Sequence, residues 1–220
     1  MIVISMISII LLSTFSLMFY NQGQLNILLM LLIFTSILPF YYRYENRKPR
    51  AREIVVLAVT IALCVSSRVL FIITPAFKPM CAMIIIVSLV FGKEFGFLCG
   101  SMSAVISNIF FGQGPWTPYQ MMALALIGLI SGCFMDKEYN QSKVFLLLSG
   151  ILSGVFYSML LDIWTVLSID QTILWSRYIA ILIASLPTTL IYCISNVIFL
   201  WVLTPILMRK LTRVRIKYEF

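Results

Sequence analysis

The residues able to do chemistry in this chain are few, and they gather in a handful of places. Arg68 follows Ser66 and Ser67 near the end of a long apolar run, and Lys78 sits in the next connection, FIITPAFKP. A cation at this depth is costly unless it snorkels to lipid phosphates, finds a partner or lines a wet cavity. As a binding group it suits an anionic or carbonyl-bearing ligand. Ser103 and Ser107 share one helix face with Asn108 beside them, and the asparagine can hydrogen-bond either a neighbouring helix or a ligand. Asp162 and Trp164 stand in another apolar run, with Trp175, Arg177 and Tyr178 beyond it. Asp162 can pair with Arg68 or Arg177, or accept a hydrogen bond from a ligand. Between these groups lies FGQGPWTPYQM, residues 111–121. Its glycines and prolines predict an ordered loop. Trp116 and Tyr119 offer apolar faces with a polar tip, and Gln113 and Gln120 offer uncharged donors and acceptors.

This inventory describes recognition rather than catalysis. The chain has no histidine, which removes the commonest acid–base group and metal ligand. Cys64, Cys81, Cys99, Cys133 and Cys193 are widely spaced within apolar segments, as packing residues are. The acids are isolated rather than paired for magnesium. GQGPWTP lacks the lysine of a phosphate-binding loop. No catalytic residue, metal or cofactor is expected.

The elements that position these groups are membrane helices. The chain of 220 residues is 61% hydrophobic and 11% charged, against roughly 25% charged in a soluble domain. Apolar runs long enough to cross a bilayer recur along it, and no alternating strand pattern indicates a β-barrel. An all-α polytopic membrane fold is predicted, with eight spans near 2–20, 24–42, 53–74, 79–92, 95–111, 120–135, 143–167 and 178–206. The fourth and fifth spans are short for a perpendicular crossing and are parted only by GKEFG. The first span has no basic leader and no cleavage pattern, so it reads as a retained helix.

Basic residues set the sidedness. Eight spans place Arg43, Arg47, Lys48, Arg50 and Arg52 on the same side as Lys93, Lys137, Lys143 and the tail residues Arg209, Lys210, Arg213, Arg215 and Lys217. Only Arg68, Lys78 and Arg177 fall on the other side. The positive-inside rule then makes both termini cytoplasmic and turns FGQGPWTPYQM outward. The expected organisation is a two-helix appendage at 1–43, a basic linker at 44–52, a six-helix core at 53–206 and a basic tail at 207–220. Ala58 and Ala62 lie four apart on the first core helix and leave a shallow groove where another helix can approach. Gly96–Gly100–Ala104, Gly128–Gly132 and Gly150–Gly154 repeat that spacing.

An ion-coupled transporter would place ionisable groups near the midplane, in broken helices. Here the polar groups sit towards the outer face, which suits a binding subunit energised by other proteins. The core also resembles the substrate-binding (S) components of energy-coupling factor vitamin transporters. The resemblance rests on AREIVVLAVTIALCVSSRVLF, on FKPMCAMIIIVSLVFGKEFGFLCGSMSAVISNIFFGQGPWTPYQM, and on SNVIFLWVLTPILMRKL. It implies capture of a vitamin from outside the cell, docking on a membrane scaffold subunit with two ATPase subunits, and toppling to release the cargo inside a bacterial cell. Ala58 and Ala62 match the family's docking motif. The implied pocket draws on Arg68, Lys78, Asn108, Gln113, Trp116, Tyr119, Gln120, Asp162 and Trp164. The GQGPWTPYQM loop is similar to that of the cobalamin (corrinoid) branch, with pantothenate, riboflavin and folate as alternatives. The two N-terminal spans depart from the six-helix pattern.

Overall fold

The computed structural model describes residues 25–135, 137, 141–170, 172 and 174–218. Among them the chain forms seven α-helices and no strand: α1 (Leu25–Asn46), α2 (Ala51–Leu70), α3 (Met80–Phe91), α4 (Lys93–Phe111), α5 (Thr117–Gly132), α6 (Lys143–Asp170) and α7 (Trp175–Tyr218). They match the second to eighth expected spans. The first expected span lies outside the described residues. Helices α2, α4, α6 and α7 are each long and apolar enough to cross a membrane.

α3 explains the short fourth span. Its twelve residues rise only about 18 Å, well below the hydrocarbon thickness of about 30 Å. Ten of the twelve are buried, because α3 packs against α2, α4, α5 and α7. Its sequence is apolar on every face because protein surrounds it. The chain reverses at Gly92, whose φ of +89° a side chain rarely adopts, and α4 starts at the next residue.

Small residues set the two closest helix pairs. A Cβ on Gly96 would lie 2.6 Å from the Gly128 carbonyl oxygen, and one on Gly100 would lie 2.2 Å from that of Leu124. α4 and α5 therefore meet backbone to backbone. Gly150 and Gly154 let α6 press against Val197 and Cys193 of α7 in the same way. The small-residue repeats on α4, α5 and α6 are thus spent on internal packing. Ala58 and Ala62 of α2 are exposed, in a face that also exposes Val55, Val59 and Leu63.

α1 packs along α4. Phe40 stacks on Phe97 with ring centroids 3.9 Å apart, Tyr41 Oη and Ser101 Oγ are 2.7 Å apart, and Arg43 pairs with Glu94 at 3.2 Å. α7 runs through the predicted tail to Tyr218. Leu207 and Leu211 pack against the core, and RKLTRVRIKY is rich in helix formers, so nothing stops the helix where the apolar run ends.

Candidate functional site

The C-terminal end of α2 carries Arg68 in its last turn, where the helix dipole favours a cation. Arg68 Nη1 donates to Ser107 Oγ at 2.5 Å and to Asn108 Oδ1 at 2.9 Å, both on α4. Asn108 is 1% exposed. Its Nδ2 donates to Gln120 Oε1 at 2.7 Å and to Thr117 Oγ1 at 3.1 Å. One polar chain therefore ties α2, α4 and the start of α5 together. The Gln120 carbonyl oxygen is engaged in it.

The stretch 111–121 holds this chain in register. Gly112 turns the backbone at a φ of +95°. Gln113 Nε2 donates to the Val105 carbonyl oxygen at 2.8 Å, while its Oε1 accepts from Thr117 Oγ1 at 3.0 Å. The Trp116 ring covers Gly114, where a Cβ would clash with it. Pro118 lies in the first turn of α5, where its missing N–H costs little. The loop is ordered by its own hydrogen bonds, and it delivers Gln120 to the inside.

There Arg68, Lys78, Gln120, Tyr157, Tyr192 and Asn196 line a cavity of about 110 Å³. Met80 and Leu124 supply apolar wall. Lys78 arrives on the connection between α2 and α3. Its carbonyl oxygen accepts from Ser195 Oγ of α7 at 3.1 Å, and Phe71 and Phe77 pack on Phe199. Arg68 Cζ and Lys78 Nζ lie 4.3 Å and 4.2 Å from the centroid of the same ring, Phe111. Burial, and secondly the charge of Arg68, hold the Lys78 ammonium below its ordinary pKa. The Tyr157 and Tyr192 rings meet edge to face at 5.2 Å. Asn196 Nδ2 donates to Ser153 Oγ at 3.1 Å.

The residues expected at the pocket divide. Arg68, Lys78 and Gln120 reach the cavity, and Asn108 stands directly behind two of them. Gln113 and Trp116 do not line it, because the first is consumed in the loop and the second caps Gly114 at 36% exposure. Tyr119 and Trp164 do not line it either; their rings pack on each other at 5.7 Å between α5 and α6. Asp162 is 7% exposed and accepts from Ser185 Oγ at 2.7 Å. It bonds neither arginine, since Arg177 is taken by Asp170 at 2.9 Å. Tyr157, Tyr192 and Asn196 were not expected. Tyr192 and Asn196 carry a legible signal, two polar groups four apart within an apolar helix. A second cleft of about 580 Å³ between α5 and α6 is walled by residues such as Ile127, Ile130, Phe145 and Leu152. With almost no polar group on its surface it suits hydrocarbon rather than a polar solute.

A multi-pass helical membrane protein with a polar, cation-bearing cavity between its helices has the architecture of a solute-binding membrane subunit. The family model of the ECF-type riboflavin transporter S component matches residues 48–213. The chain belongs to that family, whose members are transport subunits rather than enzymes. The match gives the corrinoid branch no support, and it leaves α1 up to the linker outside the family's core. No curated protein and no solved structure gave a significant match.

Proposed function

We propose that this chain is the vitamin-capturing subunit of an ATP-driven energy-coupling factor importer in a bacterial cell membrane, with the vitamin held in the cavity of Arg68, Lys78, Gln120, Tyr157, Tyr192 and Asn196. One observation carries the reading: within the matched region, four helices and the connection after α2 deliver polar side chains to one cavity that is otherwise enclosed by apolar helices. The two tyrosine rings offer flat apolar surface to a ring system. Gln120 and Asn196 offer amide groups for its polar edge. The family's name makes riboflavin the first ligand to try.

The remaining parts follow from the same reading. With both termini cytoplasmic, the cavity opens near the outer surface. The exposed small-residue face at Ala58 and Ala62 docks on the scaffold subunit, and two separate ATPase subunits supply the energy. Residues 1–43 are an appendage to the core at 53–206, and α1 rides on α4 through Phe40, Tyr41 and Arg43. Equilibrium binding to the purified protein in detergent tests the reading. Saturable one-to-one uptake of riboflavin or another vitamin, weakened by Tyr192→Ala, is expected. Binding that ignores Tyr192→Ala would place the ligand elsewhere.

A further inference from the structure

The cavity holds two like charges and nothing of opposite sign. Arg68 and Lys78 both approach the Phe111 ring, one from α2 and one from the connection after it. Among the described residues Arg68 is hydrogen-bonded only to the neutral acceptors Ser107 and Asn108. Lys78 Nζ has no hydrogen bond or ion pair to any described residue, and its neighbour is the arginine. None of the residues lining the cavity is acidic.

The described acids are engaged elsewhere or lie apart. Glu53 pairs with Arg47, Glu94 with Arg43 and Asp170 with Arg177. Asp162 is bonded by Ser185, and Glu45 is exposed beside the basic linker. Bringing two cations together in a partly desolvated site raises the energy of each. Phe111 offsets part of that cost through its ring face, but a ring carries no net charge. The fold nevertheless holds both cations in place. Asn108 fixes the guanidinium, Ser195 pins the backbone of Lys78, and the connection passes through Ala76 at a φ of +63° to bring the lysine in. A ligand with a negative charge resolves this imbalance, and a neutral one does not.

We infer that the substrate carries an anionic group, a carboxylate or a phosphate, which sits between Arg68 and Lys78. This rests on the cavity being the substrate site. It goes beyond the riboflavin named for the family, whose ring and sugar chain are uncharged at neutral pH. The flat part of such a ligand lies towards Tyr157 and Tyr192, with the charged end at the two cations. The guanidinium and ammonium can both donate to its oxygens.

The test uses the full chain in detergent and two separate readouts. Inorganic phosphate is titrated against chloride at constant ionic strength while the thermal midpoint is followed. Riboflavin and its 5′-phosphate are then titrated by their own fluorescence. Phosphate is expected to raise the midpoint of the wild-type protein by roughly 3–5 °C per tenfold excess over its Kd. It should not raise those of Arg68→Gln and Lys78→Gln. The 5′-phosphate should bind at least tenfold more tightly than riboflavin, with the difference abolished in both variants. No phosphate effect, together with equal binding of the two flavins, overturns the inference while leaving the vitamin reading intact. Phosphate stabilisation through both cations with no flavin binding supports the anion site and removes the flavin instead. A phosphate effect that survives both substitutions places the anion elsewhere and also overturns the inference.

Discussion

Replacing Asn108 by leucine removes the joint on which the site turns. The side chain is almost fully buried and makes three hydrogen bonds, one accepted from Arg68 and two donated to Gln120 and Thr117. The bond from the charged guanidinium is worth about 1.5–3 kcal/mol, and the neutral pair about 1 kcal/mol each. Leucine recovers about 1–2 kcal/mol by burying its own surface. The net loss is about 2–4 kcal/mol, a fall in thermal midpoint of roughly 5–15 °C for a chain of this size. The same change frees Arg68 and leaves the Gln120 carbonyl oxygen without its donor, so affinity should drop roughly 10- to 100-fold. Asn108→Asp separates structure from charge. A carboxylate still holds Arg68, and rotation of the Gln120 amide lets its nitrogen donate instead. The midpoint should therefore stay within a few degrees of wild type. The added negative charge nevertheless cancels one of the two cations, so binding of an anionic ligand should weaken as much as in Asn108→Leu. Thermal unfolding and ligand titration on the three proteins give the answer. An Asn108→Leu protein with unchanged midpoint and affinity would refute the reasoning, and so would an Asn108→Asp protein that binds the anion more tightly.

The pH dependence has a defined sign. Lys78 has its folded-state pKa depressed below the ordinary 10.5, chiefly by burial. The unfolded chain therefore binds more protons in the window between the two values, and unliganded stability should rise with pH there. Anion affinity should fall with pH across the folded-state pKa, as the ammonium is lost; Lys78→Gln should flatten both profiles. Gly128→Leu should prevent correct assembly, because a Cβ there would lie 2.2 Å from the Gly96 carbonyl oxygen. Loss of monodisperse protein on size exclusion reports it. Ala58→Trp with Ala62→Trp should abolish co-purification with the scaffold subunit and leave ligand affinity within about twofold of wild type, since neither residue lines the cavity. Asp162→Asn should likewise leave affinity within about twofold, as its hydrogen bond comes from Ser185, which does not line the cavity.

Much of the fold was legible because lipid imposes long apolar helices, and each described helix falls on an expected span. α3 was harder to place, since periodicity reads its solid apolar run as lipid-facing when protein covers it. The far end of α7 was missed because basic residues end a membrane span without ending a helix. At the site, Arg68 and Lys78 were visible as charges out of place in an apolar chain. The aromatic and acidic residues nearby were equally conspicuous, but sequence cannot show that Trp116 faces Gly114 or that Asp162 faces Ser185. Tyr157 was overlooked because a single tyrosine within an apolar helix is ordinary, whereas Tyr192 and Asn196, four apart on one face, were legible as a pair and were passed over. Only the packing of α6 on α7, fixed by Gly150 and Gly154, turns them to one cavity.

The most direct measurement is a flavin titration of the purified wild-type protein beside Tyr192→Ala, with folding of both checked by thermal unfolding. Saturable one-to-one binding to the wild type, weakened at least tenfold in a Tyr192→Ala protein that still unfolds cooperatively, is the predicted result. Saturable binding of equal strength in both proteins would contradict the assignment of this cavity as the place where the vitamin is held.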